Sequence, residues 1–331
     1  MKVGKVPENV LKRSVINQIK TRRPEVLLGA GVGEDCAAVE LGADEIMVLS
    51  TDPITGTAND IGKLAAHITM NDLASSGAEP IGLMLTILLP DGTEEAELKT
   101  IMHQIQVICE ESNIQIIGGH TEVTRAVNQP IISVTGIGKA KKGALIETRG
   151  AKPGQDILVT KWIGLEGTSI IAKEKESELK ERFSDSFLEV AKNMDQYLSV
   201  LPESRIGVEH QVSAMHDVTE GGIFGALWEM AEASNIGLEI FLKKIPVKQE
   251  TIEICDYYDM NPYELISSGC MLIATDDGTG LLHKLEKAGI FGAIIGKATE
   301  GKDRVLLNEG ERRFLEPPKA DELYKVIGQV F

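Results

Sequence analysis

Strand-length apolar runs alternate with helix-length amphipathic runs along this chain, and that alternation limits the fold more than any other feature. Residues 45–50 read as a short apolar strand ending in Thr51-Asp52-Pro53, 61–76 as a helix stopped by Gly77, and 81–89 as a long apolar strand. Over 95–112, Leu98, Ile101, Met102, Ile105, Ile108 and Cys109 recur at helical spacing and form one apolar face. Further strands are expected at 114–117 and 131–138. A polar, Gly- and Pro-containing stretch at 141–155 is the best domain boundary. Beyond it strands are expected at 157–160, 212–216, 238–242, 270–275 and 292–297, with helices at 184–199, 223–233 and 280–288. The length of 331 residues suits two domains at ~100–200 residues each. The expected fold is therefore α/β (α+β), with two domains in tandem at 1–148 and 149–331.

Charge and composition exclude several classes of function. Lys and Arg number 34 against 50 Asp and Glu, for a net charge of −16. Such a chain has no bulk electrostatic reason to bind nucleic acid or an anionic membrane, whereas its carboxylates suit divalent cations. The N-terminal segment has no apolar secretory core, and no window approaches ~18 uninterrupted apolar residues. The four cysteines (Cys36, Cys109, Cys255 and Cys270) are far apart and form no CxxC. They read as reduced, mostly buried thiols, and the expected location is cytoplasmic.

Acids and glycines meet at several points. Asp35 lies in Gly31-Val32-Gly33-Glu34-Asp35-Cys36, Asp52 ends a strand, and Asp72 follows Asn71 in a helix. Glu122 follows Gly118-Gly119-His120-Thr121, and Asp217 follows His216 ahead of Val218-Thr219-Glu220-Gly221-Gly222. Asp72 falls on the helical stripe of Ile61, Ala65 and Ile68, where an acid is costly to bury unless paired or bound to a cation. Mg²⁺ takes oxygen ligands and commonly bridges one or two carboxylates to phosphates. Gly118-Gly119 follows a strand and could aim N–H groups at an anion, and Gly221-Gly222 opens a helix whose dipole favours phosphate. Taken singly, each acid or glycine pair also fits a simple turn, cap or ion pair. Lys63 and His67, one turn apart, suit either a solvated surface or a phosphate contact. The Gly29–Gly33 run leads into Asp35 rather than a helix, so it is no dinucleotide fingerprint, and no P-loop or nucleophile triad is present.

Taken together, these motifs resemble the ATP-dependent superfamily of aminoimidazole ribonucleotide synthetase, which includes selenophosphate synthetase, thiamine-monophosphate kinase and the hydrogenase maturation protein HypE. The resemblance rests on Gly33-Glu34-Asp35-Cys36-Ala37-Ala38-Val39, Ser50-Thr51-Asp52-Pro53, Asn71-Asp72-Leu73-Ala74 with Gly77-Ala78-Glu79-Pro80, Gly118-Gly119-His120-Thr121-Glu122 and Asp217-Val218-Thr219-Glu220-Gly221-Gly222, in family order over nearly the whole chain. Asp60-Ile61-Gly62-Lys63-Leu64-Ala65 looks most like HypE and HypE-like proteins.

The resemblance implies a homodimer whose N-terminal domains pair into a β-barrel, an α/β C-terminal domain, and use of ATP with Mg²⁺. It implies Asp35, Asp52, Asp72 and Asp217 as metal-side residues. Lys63, Asn71, Gly118, Gly119, Thr121, Gly221 and Gly222 would contact the nucleotide, and Asp72, His120 and Glu122 would be catalytic. The shared chemistry is phosphoryl transfer that activates an amide or carbonyl oxygen. The family's departures are also visible. HypE ends in a carbamoyl-carrying cysteine, whereas the last cysteine here is Cys270, and neither the selenophosphate synthetase Cys-Lys pair nor the thiamine-phosphate kinase His-Phe is present. The expected activity is HypE-like without the carrier cysteine. A silent nucleotide-binding scaffold and a small-molecule kinase are the alternatives.

Overall fold

The chain divides into two compact units, Met1–Leu73 with Ala78–Gly143, and Ala74–Gly77 with Ala144–Phe331. The computed structural model describes residues 4–5, 8–28, 30, 38–55 and 60–327.

The first unit contains β1 (Gly4–Lys5), α1 (Glu8–Ser14), β2 (Val26–Leu28), β3 (Ala38–Val39), β4 (Glu45–Ile54), α2 (Ile61–Ser75), β5 (Glu79–Pro90), α3 (Glu95–Ser112), β6 (Gln115–Thr124) and β7 (Ile131–Lys141). Its main sheet runs in the order β1-β6-β5-β7-β4. β5 is parallel to β6 and antiparallel to β7, and β4 pairs antiparallel with β7. The apolar run in β5 alternates after all: Leu83, Leu85, Ile87 and Leu89 are buried, Met84 and Leu88 half-buried, and Thr86 exposed. The sheet therefore has one packed face and one more open face.

Helix α3 has the expected bounds because both ends are capped. Glu97 accepts the N–H of Glu94 at 2.8 Å in a capping box, and Asn113 turns left-handed at φ 55°. Two strands run longer than expected. β4 continues through Asp52 and Pro53 to Ile54, and as an edge strand it tolerates the proline. β6 continues through Gly118 and Gly119 rather than ending before them, by shifting register against β5 at Leu83/Met84.

In the second unit, β8 (Asp156–Thr160), α4 (Leu165–Glu174), α5 (Glu176–Leu179), α6 (Asp185–Lys192), α7 (Leu201–His210), β9 (Ala214–Val218), α8 (Gly222–Ser234), β10 (Gly237–Phe241), α9 (Gln249–Tyr257), β11 (Cys270–Thr275), α10 (Gly278–Lys287), β12 (Gly292–Thr299), β13 (Arg304–Asn308) and β14 (Glu311–Phe314) follow in order. The sheet order is β14-β13-β10-β12-β8-β11-β9. Its core joins Ile157, Val159, Leu272 and Ala274 of the sheet to Leu227 and Met230 of α8. The expected helix at 184–199 is interrupted: α6 ends at Lys192 and a 3₁₀ segment, Asn193–Tyr197, follows. Helix α4 escaped sequence reading because every residue from Leu165 to Ala172 is buried, so no polar face marks its period. Among the described residues, no helix is long and apolar enough to cross a membrane.

Candidate active site

In the first unit, the edge strand β4 and the helix α2 bring two of the anticipated acids together. Alternation along β4 places Ser50 and Asp52 on the same side. Ser50 Oγ donates to Asp72 Oδ2 and lies 3.5 Å from Asp52 Oδ2. One hydroxyl thus stands between two half-buried carboxylates. Helix α2 is buried along most of its surface, and its more open stripe runs through Ile68, Asp72 and Ser75. Asp72 therefore emerges at the least covered side of the helix, not in the middle of a sealed apolar face. Ile61 and Ala65, expected beside it, lie deeper.

The other α2 residues spread around the helix. Asn71 is fully buried, and His67 is buried rather than solvated. Lys63 precedes Asp72 by nine positions, about 180° around the axis at ~100° per residue, so the two leave α2 on opposite sides. At the helix start, Asp60 adopts φ 55° and Gln104 of α3 holds the turn: it accepts from Gly62 N–H at 3.1 Å and donates to Asp60 Oδ1 at 3.2 Å.

Strand β6 supplies the glycine motif. Gly119 has φ +148°, and a Cβ there would lie 2.0 Å from the Leu85 carbonyl oxygen, so only glycine fits this bulge against β5. Gly118, Gly119, His120 and Thr121 line one small cavity of about 50 Å³ with Ile19 and Ile116. His120 Nε2 and Glu122 Oε2 stand 3.1 Å apart, both partly open to solvent, because residues two apart on a strand share a face. Asp35 lies outside the described residues. Among the described residues no group of three His, Cys, Asp or Glu side chains could hold a metal. The Asp52–Ser50–Asp72 arrangement is nonetheless a set of hard oxygen donors of the kind Mg²⁺ uses, with the few protein ligands it needs.

In the second unit, Asp217 is buried in β9, one residue before its end. His216 points to the opposite face and meets Glu229 of α8 at 2.9 Å, so it does not join Asp217. Gly221 caps α8 at φ 81°, and its N–H donates to Asp321 Oδ2 at 2.7 Å. That amide, expected to face a phosphate, is held here by the protein's own carboxylate. Gly222, at φ +61°, packs so closely that a Cβ would meet the Tyr263 carbonyl at 2.6 Å.

Sequence reading missed a second group around this loop. Glu166, in the first turn of α4, is fully buried, and burial pushes its carboxyl up to about 7, with Ser268 pulling the other way and the Asp321 charge adding to the rise. Asp321 is likewise raised by burial against its backbone hydrogen bonds. Glu166 stands between Gly164 and Gly167, an acid–glycine signal that the sequence reading passed over, whereas Asp321 has no glycine beside it and its signal is tertiary. By contrast, the buried Glu203 carboxylate has a cation, Lys161 Nζ, at 2.6 Å. Cys109, Cys255 and Cys270 are all buried, which pushes each thiol up to about 12.

The family models named AIR synthase related protein, N-terminal domain and C-terminal domain, match residues 33–140 and 152–308. The chain belongs to the AIR synthase-related family. A protein of Methanocaldococcus jannaschii named for hydrogenase expression and formation is 31% identical to this AIR synthase-related chain, over 98% of it and 97% of the relative. The carbamoyl dehydratase HypE of Cupriavidus necator is 29% identical, over 76% of the chain and 72% of that protein. The fold matches a crystal structure of hydrogenase maturation protein HypE in complex with ATP at a TM-score of 0.80 and 21% identity, covering 97% of both chains. It also matches a thiamine-monophosphate kinase from Stenotrophomonas maltophilia K279a at 0.75 and 21%, over 93% of this chain and 98% of the other.

Proposed function

We propose that this AIR synthase-related protein uses ATP and Mg²⁺ to phosphorylate an amide oxygen, and that the amide belongs to a carbamoyl group that is then dehydrated. The observation that carries the reading is the pair of carboxylates, Asp52 and Asp72, set about the Ser50 hydroxyl. Phosphoryl transfer needs positioning and charge neutralisation more than a protein nucleophile, and none is present among the described residues in the form of a triad. Asp52 and Asp72 would hold Mg²⁺, with Asp35 and Asp217 as further metal-side candidates. When bound, Mg²⁺ supplies neutralisation of phosphate charge. Ser50 fixes the Asp72 carboxylate through its hydrogen bond. The small recess lined by Gly118, Gly119 and Thr121 on β6 would take part of the nucleotide, and His120 and Glu122, in contact on the same strand, are the catalytic candidates beside Asp72. Lys63 and Asn71 in the first unit, and Gly221 and Gly222 in the second, are the further nucleotide-contact candidates, with the Gly221 amide held by Asp321.

The names of the relatives support the carbamoyl acceptor and a role in hydrogenase maturation. Among the described residues the thiols of Cys109, Cys255 and Cys270 are buried, so an assay should supply the carbamoyl group on another molecule. A cytoplasmic homodimer fits the same reading. Leu49 and Met47 on β4 are 60% and 45% exposed, and they present an apolar edge that a second copy would cover.

Isothermal titration with ATP and Mg²⁺ tests the core of the proposal. Binding at micromolar to sub-millimolar concentration is expected, with Asp72→Asn weakening the Mg²⁺-dependent part at least tenfold. No binding at millimolar nucleotide, or an Asp72→Asn protein that binds as the parent does, refutes it.

A further inference from the structure

The second unit holds a cavity of about 420 Å³ between the start of α8, the 3₁₀ turn Pro262–Glu264 and the C-terminal segment 313–320. That volume falls in the ~300–1,000 Å³ range of small-molecule sites. Phe224 of α8 and Tyr263 of the turn stack at its wall, with ring centroids 5.1 Å apart and planes 8° apart, and Leu242 and Leu306 add aliphatic surface. Two polar groups line this apolar space with unused capacity. Asn261 Oδ1 accepts the Tyr263 N–H at 3.2 Å, which leaves the Nδ2 donors over, and the Tyr263 hydroxyl makes no hydrogen bond among the described residues. Burial alone raises that hydroxyl above its ordinary value, so it is a neutral donor near pH 7. The charges at the rim are already matched. Arg313 pairs with Glu311 at 3.0 Å, Lys319 pairs with Glu316 at 2.6 Å, and Glu264 lies in the field of Lys319 and Lys325.

We propose that this cavity binds a neutral, planar heteroaromatic molecule of nucleobase or nucleoside size, with its face against the Phe224–Tyr263 wall and its edge acceptors on Asn261 Nδ2 and the Tyr263 hydroxyl. The wall selects a flat ring, since aromatic faces gain most from offset or edge contact with another ring. The two unused donors select acceptor atoms on the ring edge, because a ring without them would cover those donors and leave them unpaired. The matched rim selects neutrality: a phosphate ester or an amine would bring a charge for which no opposite charge is left over. The Gly221 amide, which also lines the cavity, is held by Asp321 and offers an anion nothing. The ligand is therefore distinct from the proposed ATP, and the site does not rest on the phosphoryl-transfer reading.

The test titrates the full chain with uridine, adenosine and nicotinamide, by isothermal calorimetry and saturation-transfer NMR, with and without ATP and Mg²⁺. At least one probe should bind with a Kd between micromolar and low millimolar, unchanged by ATP. Asn261→Asp keeps an acceptor for the Tyr263 N–H and replaces the Nδ2 donors by an acceptor, so it should weaken binding at least about tenfold with the fold retained. Tyr263→Phe keeps the ring stack and should weaken binding about three- to tenfold. No binding at millimolar concentration, or binding that persists undiminished in both variants, overturns the proposal. Displacement of the probe by ATP makes the cavity part of the nucleotide site and overturns it as well. N-acetylphenylalaninamide, an aromatic ring without ring acceptors, should bind more weakly than the heteroaromatic probes. Tighter binding of that compound would assign the cavity to a partner's side chain and overturn the small-molecule reading. A chain that binds a probe here and no ATP refutes the proposed function alone.

Discussion

Replacing Glu166 by Gln should change how stability depends on pH, in a direction and amount that follow from its burial. The carboxyl is raised from an ordinary 4.5 to about 7 by burial, with the Asp321 charge adding to it. Below about pH 4.5 it is protonated whether the chain is folded or unfolded. Between 4.5 and 7 the unfolded chain ionises while the folded one stays neutral, so stability falls as pH rises. Above 7 both forms are ionised and the loss stays constant. At ~1.36 kcal/mol per pH decade, the fall amounts to about 3 kcal/mol. Gln keeps the shape and cannot ionise. The difference between parent and Glu166→Gln should therefore shift by about 3 kcal/mol in favour of the variant between pH 4.5 and pH 8. Asp321 and Glu203, also raised by burial, contribute equally to both proteins and cancel. Both tryptophans of the chain, Trp162 and Trp228, lie in the second unit, so urea unfolding followed by tryptophan fluorescence reports the unit that holds Glu166. A stability difference that is the same at both pH values, within about 0.5 kcal/mol, would refute the burial argument.

Three further outcomes are expected. Lys161→Met removes the cation 2.6 Å from Glu203 and a donor to the carbonyls of Tyr197, Ser199 and Gly269. It should cost about 3–5 kcal/mol by the same fluorescence assay, with part of the loss recovered in Lys161→Met/Glu203→Leu. Gly119→Ala forces a Cβ within 2.0 Å of the Leu85 carbonyl and should destabilise the first unit by roughly 2–4 kcal/mol, read by far-ultraviolet circular dichroism and by lost ATP binding. Leu49→Glu places a charge on the exposed edge of β4 and should weaken self-association at least about tenfold in sedimentation, with the monomer's fold unchanged.

Much of the local architecture was legible because it depends on short-range pattern. Helix α3 has matching bounds in sequence and structure, since its apolar period and its caps agree. β11 likewise spans the same residues, an uninterrupted apolar run bounded by polar ones. Helix α4 was invisible because it is covered on all sides, and α7 because its Pro at the first turn and its internal Gly207 blur the helical signal. The glycines of β6 looked like the end of a strand, yet the strand passes through them with a shift in register.

The candidate site divides along the same line. Sequence alone marked Asp52, Asp72, the Gly118–Glu122 motif and the Asp217–Gly222 loop, because acids beside glycines and strand ends are short linear signals. Only the tertiary structure could set Ser50 between Asp52 and Asp72, which are 20 positions apart. It also decided that the Gly221 amide faces Asp321, 100 positions away, and that Glu166 is buried beside Ser268. A carboxylate's charge, partners and affinity for protons depend on what surrounds it in space. Residue order determines where the acids stand along the chain, and packing determines which of them remain charged.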